Sequence, residues 1–210
     1  AQIAFFNPAV LKDKTQSKYQ FHGGFLEYVD EYQRDRYKNC QEWQSRFSEK
    51  VTFKDIMKVL YKSSAQGFID AHFNKELNQY FKNNTFIKAL LLPKNRPYLE
   101  YLNLAFKIEF SYKELKNPWN PSSTREPYNS KKLRKKVLKE IKSKLKKSNT
   151  FFKERYGYQL VVLCRYMKDY KQCIQAFDTY LKNSKSILQA WAYVHKAHAL
   201  YKLDKIPESN

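Results

Sequence analysis

Residues 158–209 read YQLVVLCRYMKDYKQCIQAFDTYLKNSKSILQAWAYVHKAHALYKLDKIPES, and this stretch decides the fold. Tyr158, Leu160, Val161, Leu163 and Cys164 make an apolar helical pattern that breaks near Lys168-Asp169. Tyr170, Cys173, Ile174, Phe177 and Tyr180 mark a second helix, and Lys182-Asn183-Ser184 a polar turn. Trp191, Val194, Ala197, Leu200 and Tyr201 are the apolar positions of a third helix, which breaks at Asp204. Tyr158, Tyr166 and Asp169 recur as Tyr193, Tyr201 and Asp204 at an offset of 35, and Tyr170 and Cys173 align with Ile206 and Ser209 at 36. Two helices per unit at such a period is the signature of a helical repeat.

These residues resemble a tetratricopeptide-repeat array. Tyr170 and Cys173 stand at the aromatic and small positions that open the second helix of one repeat, with Phe177 and Tyr180 as its later packing residues. Ala197 and Leu200 match the small and large positions of the next repeat's first helix, with Asp204, Ile206 and Ser209 at the following turn and helix start. Val161 and Ala197 occupy positions where the family usually has glycine or another small residue, and Lys185 replaces its closing proline. The order Phe6-Asn7-Pro8, Asn39-Cys40-Gln41-Glu42-Trp43, Val59-Leu60-Tyr61-Lys62-Ser63-Ser64 and then the repeats also resembles large uncharacterised envelope proteins of Bacteroidota. That resemblance implies an N-terminal part of a longer chain, located in the periplasm or at the outer membrane. Without it, the expected compartment is the cytoplasm. Breaking off at Ser209-Asn210, where a repeat's second helix is due, fits a longer chain, since arrays normally end in a polar cap. The opening Ala1-Gln2 suits a signal-peptidase product, and a boundary set in another way fits it as well.

Working outward, Ser130 is read as the cap of KKLRKKVLKEIKSKLKK, residues 131–147. Ten basic residues and one acidic residue give this window +9, nearly half of the chain's net +20. Leu133, Val137, Ile141 and Leu145 recur every four residues with Leu138 beside them, the pattern of a basic amphipathic helix. Residues 117–130 (NPWNPSSTREPYNS) hold three of the seven prolines and form the candidate boundary between a helical subdomain, 39–116, and the repeat-bearing part, 131–210. Within 39–116, Asn39 is read as an N-cap, with Trp43 and Phe47 on one face beyond it. Thr52 and Asp55 resemble a capping box for a helix to about Lys62, and Ser64 is read as opening another through Phe68, Ala71 and His72. Asn84 opens a short helix ending at Pro93, and Pro97 sits in the first turn of a long helix to about Lys116, with Leu99, Leu102, Ala105, Phe106 and Phe110 on one side. Residues 1–38 show recurring aromatics without sustained periodicity and read as an extended segment, with one short helix near 26–37.

Composition narrows the function. In 210 residues there are only 4 glycines, which argues against barrels, sandwiches and glycine-cradled nucleotide sites. Cys40, Cys164 and Cys173 form no CxxC pair and read as small hydrophobes rather than as a disulfide or zinc framework. The longest apolar run, Leu160–Cys164, ends at Arg165, far short of the ~20 residues of a membrane span. His195 and His198 lie at i, i+3, but no third ligand stands at a recognisable spacing; His22 and His72 read as structural. GxSxG, HExxH and paired-carboxylate patterns are absent, so no enzyme, metal or cofactor is expected.

The sequence therefore predicts an all-α protein: helical hairpins stacking into a tetratricopeptide-like solenoid, with an extended aromatic-rich N-terminal segment. The expected role is a non-catalytic protein–protein scaffold or accessory subunit of a larger, envelope-located assembly, with protein partners and no small-molecule substrate. Tyr193, Lys196 and Tyr201 are the nominated partner-facing residues, because repeat arrays bind along a face built from their first helices. Two other readings use the basic helix through Lys131, Lys132, Arg134, Lys135, Lys136, Lys139 and Lys142: nucleic-acid phosphates, or a membrane surface on which the helix lies. Charge reversal of Lys135, Lys136, Lys139 and Lys142 separates them. A scaffold loses little partner binding, whereas either alternative predicts its collapse and steep salt dependence, measured as binding against ionic strength.

Overall fold

The computed structural model describes residues 25–48, 50–62, 82–112 and 130–203. Among them it is all-helical, with eight α-helices and no strand. These are α1 (Phe25–Gln44), α2 (Phe53–Met57), α3 (Thr85–Leu90), α4 (Arg96–Tyr112), α5 (Ser130–Lys147), α6 (Thr150–Tyr166), α7 (Tyr170–Tyr180) and α8 (Leu188–Lys202). A π turn, Lys58–Lys62, continues α2, and a 3-10 turn, Pro93–Asn95, leads into α4. The readings along 1–24, at Ser64, Phe68, Ala71 and His72, at Asp204, Ile206 and Ser209, and along 117–129 fall outside the described residues.

Local chemistry explains most helix ends. Asn84 accepts Ile87 N–H at 2.9 Å, and Asn149 accepts Phe152 N–H at 3.1 Å. Thr52 accepts Asp55 N–H at 3.3 Å, but the reciprocal half of the expected capping box is replaced. Thr52 N–H donates to Thr85 Oγ1 at 3.0 Å, and Asp55 instead accepts the Thr85 amide at 2.8 Å, tying α2 to the start of α3. At the end of α6, Lys168 adopts φ 61°, and Asp169 N–H reaches back to the Cys164 carbonyl at 2.9 Å. This left-handed close is usually glycine's, and Lys168 bears its cost of about 1 kcal/mol. Asp169 then caps α7 by accepting Gln172 N–H at 3.1 Å, so one residue ends one helix and starts the next.

The helices form one packed unit. α6 lies against α5 and α7; α8 packs on both α6 and α7; and α4 covers α5 and α6. Trp43, Ile56, Phe86 and Leu104 from before the 117–130 segment share a single hydrophobic core with Ile141, Tyr156, Leu163 and Phe177 from after it. Close approach of α6 and α7 depends on Gly157, where an added Cβ would sit 2.5 Å from the Tyr180 Cβ.

Three expectations are corrected. The short helix read near 26–37 is present, but it spans Phe25–Gln44 without a break, so Asn39 is not a cap but a buried mid-helix residue. Its side chain is taken by tertiary partners: Asn39 Nδ2 donates to the Tyr61 hydroxyl at 2.6 Å and its Oδ1 accepts Arg155 Nη1 at 3.1 Å. The helix expected to open at Tyr158 begins eight residues earlier, at Thr150, because Asn149 caps it there. On α8 the buried positions are Leu188, Ala192 and Ala199, whereas Val194 and Tyr201 point outward. The helix is apolar on nearly all sides, so periodicity alone could not choose its inner face.

Arg155 is the one fully buried cation, 2% exposed, among the described residues. Its guanidinium lies 4.2 Å from the Phe151 ring centre and 4.9 Å from that of Trp43, and its Nη2 bonds to Glu42 Oε2 at 3.1 Å. Truncation by Arg155→Ala removes the cation that Glu42 and the Asn39 oxygen face and empties the aromatic cage, so a loss of about 3 kcal/mol is expected. The urea unfolding midpoint measures it, and a change within error would show that the pair does not hold the fold.

Candidate functional site

Two surfaces carry the residues that sequence reasoning singled out. The first is the outward side of α8. Tyr193, Val194 and Tyr201 are 55%, 49% and 69% exposed, and Ala190 and Ala197 are exposed between them. On a helical wheel these five positions span about 100°, an apolar stripe without a charge. Tyr193 makes an edge contact with Phe177 (5.9 Å between ring centres), which orients its ring. Lys196 stands apart from the stripe: its Nζ donates to Asp178 at 2.7 Å and sits over the Phe177 ring at 4.8 Å, tying α8 to α7. The nominated trio is therefore divided. Tyr193 and Tyr201 face outward, and Lys196 is engaged by the neighbouring helix.

The second surface is α5. Its stripe is committed inward, with Val137, Ile141 and Leu145 buried against α4 and α6. Lys135, Lys136, Lys139, Lys142, Lys146 and Lys147 are exposed, while Lys144 is bound to Glu100 at 2.6 Å. That bond, with Arg96, holds the Glu100 carboxyl below its ordinary range. Lys132 is exposed and Arg134 half-buried, both with contacts inside the fold, and the Lys131 side chain lies outside the described residues.

A cleft of about 410 Å³ lies beside α5, roofed open between it and α7, with Leu145, Leu160 and Ala176 beneath and Lys142, Lys146 and Gln175 at the rim. Sequence reasoning did not find it, because it arises from two helices separated by α6. Lys146 is its added basic residue.

Buried titratable groups have been placed for packing. Desolvation pushes the thiols of Cys40 and Cys164 up to about 12 and Cys173 to about 11. All three are free and buried; Cys164 donates to Gln172 Oε1 at 3.2 Å and Cys173 to the His195 carbonyl at 3.7 Å. His195 packs beside the Tyr158 ring, 6.3 Å between centres, and His198 beside Tyr170 at 6.1 Å. No group of three or more His, Cys, Asp and Glu side chains that could hold a metal ion occurs among the described residues. Likewise, no helix there is long and apolar enough to cross a membrane.

Comparison with family models, with curated proteins and with solved structures finds no match.

Burial, with Arg165 and His198 nearby, lowers His195 to about 4 from its ordinary value of 6.5. The unfolded chain takes up a proton near 6.5 while the folded one resists until about 4, so stability is full above that window and falls as pH drops through it. Urea midpoints compared between about pH 7 and about pH 5 should fall further for the native protein than for His195→Gln. Equal falls would assign the pH dependence to other groups.

Proposed function

We propose that this protein is a non-catalytic interaction scaffold, an accessory subunit that docks a partner protein against the outer side of α8. The observation that carries this reading is the apolar stripe Ala190–Tyr193–Val194–Ala197–Tyr201, exposed on a helix whose other side is sealed into the core. Isolated exposed apolar residues are ordinary, but a contiguous uncharged stripe including two tyrosines is the composition of a contact surface. The packing of α8 on both members of the α6–α7 hairpin supports the tetratricopeptide-like reading, in which a first helix touches both helices of the preceding repeat. In such a stack the stripe is the face that the next helical layer covers, here one contributed by the partner. Placement in the cell envelope rests on the resemblance to Bacteroidota envelope proteins.

The exposed lysines of α5 favour a second reading, in which the helix tracks nucleic-acid phosphates. A membrane surface is less well served, because an interfacial helix must offer its apolar face to lipid, and that of α5 is buried.

Affinity capture from the native source at physiological salt, with and without nuclease, tests the two together. The scaffold reading expects a defined set of proteins that survives nuclease and is lost from Tyr193→Asp/Tyr201→Asp. Loss of the captured material on nuclease treatment, with the double variant binding normally, would overturn it in favour of nucleic acid.

A further inference from the structure

The α5–α7 cleft has three features that together specify an occupant. Its basic wall is Lys142 and Lys146, exposed at i, i+4, and among the described residues neither holds an ion pair and no acidic side chain lines the cleft. Lys135 and Lys139 continue the row on the same side of α5. Its floor is apolar: Leu145, Leu160 and Ala176 are 5%, 4% and 3% exposed, so the surface is part of the core's outer layer. Its opposite wall supplies amide donors from α7. Gln172 has its Oε1 taken by the Cys164 thiol at 3.2 Å, which fixes the amide and leaves its NH₂ as a donor, and Gln175 is exposed one turn further on.

We infer that this cleft receives an extended acidic segment of a partner protein, with an apolar side chain on the floor, flanking carboxylates at Lys142 and Lys146, and amide donors from Gln172 and Gln175. This rests on the scaffold reading and names the chemistry of the partner. Charge complementarity chooses the carboxylates, and the floor chooses a peptide over a nucleic-acid strand. A strand binding here would need aromatic faces for its bases. The one ring that lines the cleft among the described residues, Tyr180, is half-buried with its Cβ pressed against Gly157. A volume of about 410 Å³ suits one or two side chains with their backbone. The inference also revises the expectation that a scaffold would be indifferent to Lys142. Lys142 now belongs to the partner site, whereas Lys136 and Lys147 lie about 100° around the helix from the cleft.

The test is fluorescence anisotropy on the full chain with a short fluorescein-labelled peptide in which glutamates and aspartates flank a central leucine. Lys142→Glu/Lys146→Glu is expected to weaken binding on the order of tenfold, and Lys136→Glu/Lys147→Glu, which changes net charge equally, much less. Replacing the central leucine by serine is expected to weaken binding as well. All four lysines are exposed, so folding is unaffected, and circular dichroism of each variant verifies this. No measurable binding, equal losses from both variants, or indifference to the leucine would each overturn the proposal. An oligothymidine that binds more tightly than the peptide and loses affinity with Lys142→Glu/Lys146→Glu would overturn it in favour of nucleic acid. Failure here with nuclease-resistant, Tyr193/Tyr201-dependent capture intact removes the cleft and leaves the scaffold; failure of both removes the scaffold too.

Discussion

The fold depends on one buried cation. Arg155, from α6, has no solvent to stabilise its charge, and burial presses its pKa below the ordinary guanidinium value. Compensation comes from three directions: the π faces of Trp43 and Phe151, the Asn39 carbonyl oxygen, and the Glu42 carboxylate. Glu42 is itself shared. Its Oε2 also accepts the Ser186 hydroxyl at 2.7 Å, and its Oε1 accepts Ile187 N–H at 2.9 Å. A carboxylate thus sits at the N-terminus of α8, where the helix dipole favours it. The relay runs from Tyr61 through Asn39, Arg155 and Glu42 to Ser186, joining α1, the π turn, α6 and the start of α8. Such a network contributes little more stability than apolar side chains of the same volume would. Its value is register, since the Asn39 oxygen and the Glu42 carboxylate meet the guanidinium together only in one placement of α1.

Around that relay the aromatic surplus finds its use. Trp43 meets Phe86, Tyr98, Tyr101 and Phe151 at 5.5–6.1 Å between ring centres, with edge contacts to Phe86 and Phe151. Rings from α1, α3, α4 and α6 therefore converge on a single indole. Trp191 adds a second tie, its Nε1 donating to Asp35 at 3.3 Å. By holding α1 across both α6 and α8, these contacts fix the α6–α7–α8 stack from its inner side, which leaves the outer stripe of α8 available.

Much of this was legible in the sequence, for local reasons. The limits of α7 followed from Asp169 and the polar turn after Tyr180, and the orientation of α5 from a strict four-residue spacing of Val137, Ile141 and Leu145. Those signals work because one short interaction, a cap or an apolar stripe, decides the outcome. Arg155 was not legible, because a lone arginine in a helix reads as solvated, and the partners that make it core, Asn39, Trp43 and Glu42, lie far off in the chain, Glu42 by 113 residues. Asn39 misled for the same reason: asparagine favours caps, yet a tertiary partner can hold it mid-helix. The division of Tyr193, Lys196 and Tyr201 required knowing that Asp178 stands across from Lys196. The α5–α7 cleft required knowing that two helices with α6 between them open on one side.

The basic helix shows how one element serves two ends. A net +20 opposes compaction through self-repulsion, and α5 concentrates nearly half of it. The helix is nevertheless integral, because its apolar residues are spent on α4 and α6 and its charges are turned to solvent along more than two turns. Lys144 is drawn back to Glu100, pinning α5 to α4. With its hydrophobic face already committed, α5 can meet a partner only through ammonium groups and through the cleft floor it shares with α6 and α7. Long-range attraction to acidic molecules would then come from the whole row of lysines, and selection among them from the apolar floor. A surface built this way would gather many anions weakly and retain only one that also carries an apolar side chain in the right place.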